Sequence, residues 1–215
     1  MERRLDEGRP SLTAARVAAR RASHQLHDRP LVFEDPLAVA VIGEEAAARI
    51  RDPAKENGRF SRAMRAFLVA RSRYAEDRLA EAYGRGVRQY VVLGAGLDTL
   101  ACRNPHPDLR VFEVDHPATQ AWKRRRLKAA GVTIPGSLVF APVDFETQGL
   151  AEGLAAAGFD PARPAFVSWL GVVMYLTDEA AFQTLGADEV NRLYFAGRRD
   201  RLRLMGPGRL ARARV

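Results

Sequence analysis

From residue 87 to residue 176 the chain alternates short apolar runs with segments of helical period, and this alternation restricts the fold more than any other feature. RQYVVLGAG, LRVFEVD, SLVFAPVD and PAFVSWLGVVMYL each read as a buried strand, the last leading out into a loop. Between them, ATQAWKRRRLKAAG and GLAEGLAAAG read as helices, the second closed by Gly158. Strands that are apolar throughout imply a sheet covered on both faces, and strand–helix–strand succession implies a parallel one. The expected fold class is therefore α/β, with a Rossmann-like sheet.

The flanks read differently. Residues 11–84 form a helical zone. Ser11 caps a run in which Val17, Ala18, Ala22 and Leu26 share a face. Asp35-Pro36 opens another helix, with Pro at its first position. From Phe60 to Tyr83 the residues Met64, Phe67, Leu68, Tyr74 and Leu79 recur near helical spacing, and Gly84 and Gly86 end the run. Beyond the alternating zone, DEAAFQTL and ADEVNRLYFAG look helical, and DRLRLMGPGRLARARV looks like a hairpin turning at Gly206-Pro207-Gly208. The expected organisation is a helical cap over residues 1–84 and a sheet core over 85–215, packed as one domain.

Composition excludes several classes. Apolar residues make up 47% of the 215, too many for a disordered chain, and no apolar run is long enough to cross a bilayer. MERRLDEGRP carries three acidic residues with no apolar stretch after it, which argues against a targeting segment. A single cysteine, Cys102, fits a reducing cytoplasm. The net charge of +8 is concentrated in residues 192–215, where eight arginines face Asp200 alone. Arg outnumbers Lys 31 to 3, whereas a phosphate-tracking surface mixes the two and interleaves aromatics. Nucleic acid and membrane are thus not expected partners. Nor do the four histidines show zinc spacing with Cys102, so no metal is expected.

Three motifs carry the chemistry. VVLGAGLDT, residues 91–99, ends a strand in Gly-x-Gly, where backbone can turn tightly and approach a ligand at the sheet's carboxyl edge. Thr99 stands where a dinucleotide fingerprint requires its third glycine, which disfavours a bound pyrophosphate but not a nucleoside. In FEVD, Asp115 ends the second strand 19 residues after Gly96, where a carboxylate can accept both ribose hydroxyls or merely cap the next helix. In PVDFE, Asp144 can accept an adenine amino group while the Phe145 N–H serves a ring nitrogen, and a helix cap is again the alternative.

These features together resemble the leucine carboxyl methyltransferase-like family of class I S-adenosylmethionine-dependent methyltransferases, in its bacterial small-molecule branch. The similar stretches are SLTAARVAARRASHQL, FEDPLA, VARSRYAEDRL, VRQYVVLGAGLDT, VFEVDHP with Lys123 downstream, VDFE, FVSWLGVVMYLT, and ADEVNRLYFAGRRDRLRL to RLARARV. The resemblance implies S-adenosylmethionine as cofactor, with Gly94, Ala95 and Gly96 lining it, Asp115 on the ribose, and Asp144 and Phe145 at the adenine. It further implies that Arg71 pairs with the methionine carboxylate, a task for a planar bidentate cation, with Arg21 near the same carboxylate. The implied reaction is O-methylation of a carboxyl or hydroxyl on a small molecule, and Tyr175 is a candidate for touching that substrate.

The chain also departs from the family pattern. Leu100 stands where Arg often follows the GLDT threonine, although Arg103 is kept. Leu170 stands where Glu often precedes the glycine, so one polar cofactor contact is lost or passes to the Gly171 backbone. At Leu185–Gly186 the sequence passes directly into what resembles the family's end, as if one strand–helix unit were missing. An incomplete sheet leads to an expectation of marginal stability or self-association, a homodimer included, with low or absent activity. The competing readings are a non-catalytic relic that still holds the cofactor and, behind it, an arginine-tailed nucleic-acid binder.

Overall fold

The computed structural model describes residues 11–172 and Thr177. The expectations for Tyr175, the Leu185–Gly186 junction, the last two helices and the closing hairpin fall outside these residues.

Seven helices and four strands are described, in the order α1 (Leu12–His27), α2 (Ala38–Ile42), α3 (Glu44–Ile50), α4 (Pro53–Glu56), α5 (Arg59–Gly84), β1 (Gln89–Leu93), β2 (Arg110–Asp115), α6 (Pro117–Ala129), β3 (Leu138–Pro142), α7 (Leu150–Ala156) and β4 (Ala165–Trp169). The strands form one parallel sheet in the order β3-β2-β1-β4. Val91 pairs with Phe112 of β2 on one side and with Val167 of β4 on the other. The chain thus runs outward from β1 to β3 and returns across it to β4. The ends of β1 and β4 flank the point where strand order reverses, the place where parallel sheets of this kind take ligands.

Both faces of the sheet are covered, as the unbroken apolar strands require. On one face Val91, Leu93, Phe112, Val114 and Ala141 pack against Leu150 and Leu154 of α7. On the other, Tyr90, Val92, Val111 and Phe166 pack against Leu79 and Ala82 of α5. A third cluster joins the cap to the sheet: Ala18, Ala22, Val41, Ile42 and Ala47 meet Leu127 of α6 and Leu97 of the loop after β1. The buried Gln120 side chain of α6 donates to two strand carbonyls, Glu113 O at 2.8 Å and Ala141 O at 3.1 Å.

The helical zone matches its expected ends better than its expected faces. Ser11 caps α1 by accepting the Ala14 N–H at 3.2 Å, and α5 closes at Gly84. Asp35 does not open a helix directly: its carboxylate accepts the Leu37 N–H, Pro36 and Leu37 form a turn, and α2 starts at Ala38. On α5 the buried residues are Arg65, Leu68, Val69, Ala75, Leu79 and Ala82, while Phe67 and Tyr74 are 62% and 65% exposed. Leu68 and Leu79 lie on the buried face as their spacing predicts, but Phe67 and Tyr74 do not, because Val69, two alanines and the Arg65 stem fill the rest of it.

Candidate functional site

β1 delivers the chain into the turn Gly94–Thr99. The Gly94 N–H donates to Val114 O at 2.8 Å, which pins the start of the turn to β2. Gly96 has φ +52°, and a Cβ there would lie 2.9 Å from the Ala14 Cβ of α1. Only glycine lets the cap come that close with the backbone in a left-handed conformation. The second glycine of the motif is therefore required by packing against the cap.

Asp115 sits half-buried at the tip of β2. Its Oδ2 accepts the Gly96 N–H at 2.6 Å and its Oδ1 accepts the His116 N–H at 2.7 Å. Capping of α6 falls to His116, whose ring accepts the Ala118 N–H at 3.2 Å. Asp115 is thus not the helix cap. Each of its oxygens serves one amide and keeps a lone-pair direction for a further donor. Burial raises the Asp115 carboxyl above its ordinary value, against the Gly96 and His116 amides that stabilise the anion.

Across the switch point, β4 ends beside α5. A Cβ on Gly171, which has φ +72°, would lie 2.5 Å from Arg71 Nη1, so the guanidinium rests against bare backbone at the strand's exit. The structure therefore brings Arg71 and Gly171 together. Leu170, standing where the family often carries Glu, is half-buried just before them.

At β3 the picture is similar to that at β2. Asp144 accepts the Glu146 N–H at 3.0 Å and caps a turn, while α7 begins later, at Leu150, with Gly149 as its cap residue. Phe145 packs its half-buried ring on the core cluster under the sheet. The acidic tips of β2 and β3, the Gly94–Thr99 turn and the Arg71–Gly171 contact all lie at the carboxyl edge of one sheet. That edge thus brings together two carboxylates, a glycine turn and a planar cation. A family model described as leucine carboxyl methyltransferase matches residues 14–187. The chain belongs to that family.

Similar proteins agree. A Bacillus subtilis (strain 168) protein is 38% identical over 79% of this chain and 63% of its own length. One from Parafrankia sp. (strain EAN1pec) is 37% identical over 89% of this chain and 61% of its own. One from Mycobacterium bovis (strain BCG / Pasteur 1173P2) is 35% identical over 85% of this chain and 58% of its own. All three are provisionally named S-adenosyl-L-methionine-dependent methyltransferases. The chain spans about three fifths of the length of these relatives.

In this member of the leucine carboxyl methyltransferase family, Arg21 is neither on a solvated face nor pointed at open solvent. It is 5% exposed, and its guanidinium donates to Asp35 Oδ2 at 2.5 Å, Thr99 Oγ1 at 3.0 Å and Asp98 Oδ2 at 3.4 Å. Burial alone would raise the Asp98 carboxyl, but Arg21, Lys123, the Leu100 N–H and Arg103 outweigh it and hold it below its ordinary value. Under the same turn lies a fully buried pair, Lys123 Nζ to Glu113 Oε2 at 2.5 Å. Burial pushes the Glu113 carboxyl up to about 7 despite Lys123. Sequence reading missed Asp35 and Glu113 as functional supports. The signal was present in FEDPLA and in FEVD with Lys123 ten residues on, whereas the Thr99 partner of Asp35 lies 64 residues away.

Among the described residues no group of three or more metal-ligating side chains occurs, and no helix is long and apolar enough to cross a membrane.

Proposed function

We propose that the chain binds S-adenosylmethionine along the carboxyl edge of β1, β2, β3 and β4 and transfers its methyl group to an oxygen of a small molecule. The observation that carries this is the Arg71 guanidinium resting on Gly171, across the sheet's switch point from the Gly94–Gly96 turn and Asp115. Arg71 would take the methionine carboxylate, with Arg21 supporting that end through Asp98. Gly94, Ala95, Gly96 and Gly171 would offer backbone, Asp115 would accept the ribose hydroxyls, and Asp144 with Phe145 would hold the adenine.

When bound, this cofactor supplies a methyl group already activated on a sulfonium. The protein's own work is then alignment: the acceptor oxygen, the carbon and the sulfur must lie in line. In the transfer, a lone pair of the acceptor oxygen would form the O–C bond while the C–S bonding pair would stay on sulfur, leaving a neutral thioether. A carboxylate acceptor requires no base, and a hydroxyl would have to lose its proton. Tyr175, three residues past Val172, is the candidate for contact with the acceptor.

Isothermal titration with S-adenosylmethionine tests the reading. The wild type should give a saturating isotherm, and Asp115→Ala should weaken binding by about 1–3 kcal/mol with the fold intact. Arg71→Lys should also lose affinity, because an ammonium cannot make the paired bonds. A flat wild-type isotherm would sink the proposal. The direct passage of the sequence at Leu185–Gly186 into what resembles the family's end favours a second reading in which the cofactor is held without turnover. Transfer of labelled methyl to a carboxylate- and hydroxyl-bearing compound panel separates the two.

A further inference from the structure

The third-glycine position of the turn is occupied by Thr99, and its hydroxyl uses its whole hydrogen-bonding capacity inside the protein. It donates to Asp35 Oδ2 at 2.7 Å and accepts from Arg21 Nη2 at 3.0 Å and from Arg103 Nε at 3.1 Å. One donor and two lone pairs are all a hydroxyl has. Asp35 is equally committed: besides Thr99 it accepts from Arg21 and the Leu37 N–H, and Arg103 Nε lies 3.6 Å from its Oδ1. Arg103 in turn forks onto both oxygens of Glu76 on α5. Thr99 and Asp35 are each 1% exposed. One hydroxyl therefore ties α1, the turn before α2, the loop after β1 and, through Arg103, α5.

We propose that Thr99 and Asp35 are positioning residues for the cofactor: they clamp the Gly94–Thr99 turn to the helical cap and so hold the Gly96 and Asp98 backbone in the shape that accepts the ligand. The inference rests on the cofactor site proposed above. It follows from where the bonds fall. The turn's glycines have no side chains to fix them, and Gly96 is in a left-handed conformation. Its shape is imposed by Asp115 at one end and by the Thr99–Asp35–Arg21 contacts at the other. Leu97 adds an apolar anchor to the same cap cluster. Because the clamp spans cap and loop, ligand binding and cap order are coupled: whatever stabilises the turn also stabilises α1 against opening.

The test compares wild type with Thr99→Val, which keeps the shape but loses the hydroxyl, and Thr99→Ser, which keeps the hydroxyl. S-adenosylmethionine titration should show Thr99→Val weakened about tenfold and Thr99→Ser within about threefold of wild type. Amide exchange without ligand should quicken in peptides covering residues 94–103 for Thr99→Val and not for Thr99→Ser. Asp35→Asn should follow Thr99→Val in both measurements. A merely structural threonine would lower the melting temperature of Thr99→Val while leaving affinity and local exchange as in wild type, and that outcome overturns the proposal. So does faster exchange with unchanged affinity. A wild type that binds nothing would instead remove the cofactor reading, and with it any positioning role, whatever the exchange shows.

Discussion

Along the sheet, Val91, Phe112, Val114 and Ala141 are wholly buried, and Phe112 meets Phe159 edge-on with ring centroids 5.5 Å apart. In the cap, small side chains such as Ala18, Ala22, Ala38 and Ala47 share the apolar cluster with Val41, Ile42 and Ile50. Much of the remaining volume is filled by charge. Arg65 is 0% exposed, donating to both oxygens of Asp28 at 3.0 and 2.7 Å and to Glu56 O at 2.5 Å. Ser23 donates to Glu56 at 2.7 Å, and Arg20 reaches the same carboxylate at 3.0 Å. Apolar packing tolerates small shifts with graded loss, whereas a buried ion pair keeps its value only while both partners stay in place. The sheet is thus a robust platform, and the cap is a device of fixed geometry laid over it.

Four measurements sharpen or break this contrast. The largest effect is expected from Phe112→Ala, which should cost about 3–5 kcal/mol in urea unfolding, since cavity and transfer terms add. A loss under about 1 kcal/mol would mean the sheet is less tightly packed than it looks. Arg65→Met should cost about 2–3 kcal/mol, somewhat less than a fully enclosed pair, because Asp28 keeps some water contact. Its damage should stay local, with faster amide exchange in α1 and α5 and little change in the strands. Uniform loosening would erase the distinction between the regions.

The third measurement is pH. The Arg65 guanidinium holds the Asp28 carboxyl down to about 2. Its folded value lies below the unfolded one, so the stability it contributes is complete above 3.8 and lost as pH falls toward 2. Glu113 works the other way. Raised from 4.5 to about 7, it favours folding fully below 4.5, and that contribution is gone once pH passes 7. Corrected for the intrinsic pH dependence of amide exchange, protection in the cap should therefore fall in acid, and protection at β2 should fall as pH rises from 5 to 8. Asp28→Asn should flatten the first profile and Glu113→Gln the second; a slope that survives its own substitution refutes the assignment. The smallest effect is expected from Phe67→Ser, within about 0.5 kcal/mol, since the exposed ring contributes little to the cap's interior. A larger loss would show that the exposed side of α5 is covered.

The four strands, the two helices between them and the glycine turn were legible because their signals are local: an apolar run, a helical period, a Gly-x-Gly at a strand end. The strand-tip acids were legible for the same reason, and the cap alternatives for Asp115 and Asp144 could be resolved only by seeing His116 and Gly149 in those places. What escaped is non-local. Asp35 and Thr99 are 64 residues apart, and Arg65 and Asp28 are 37 apart. In a chain with 31 arginines, nothing nearby marks the ones that are buried. Phe67 and Tyr74 misled for the converse reason, since side-chain size suggests an interior position that alanines occupied.

Gln120 has a consequence for the site that concerns measurement of length. By binding carbonyls on β2 and β3 together, its side chain locks α6 across the two strands a few residues short of Asp115 and Asp144. That brace limits how far the two strand ends can spread, and so bounds the span between the two carboxylates. Under the cofactor reading proposed above, a ligand whose sugar and base differ in separation from that span would satisfy one carboxylate only, so selection among nucleosides would be made beneath the floor of the site, by a residue that never touches them.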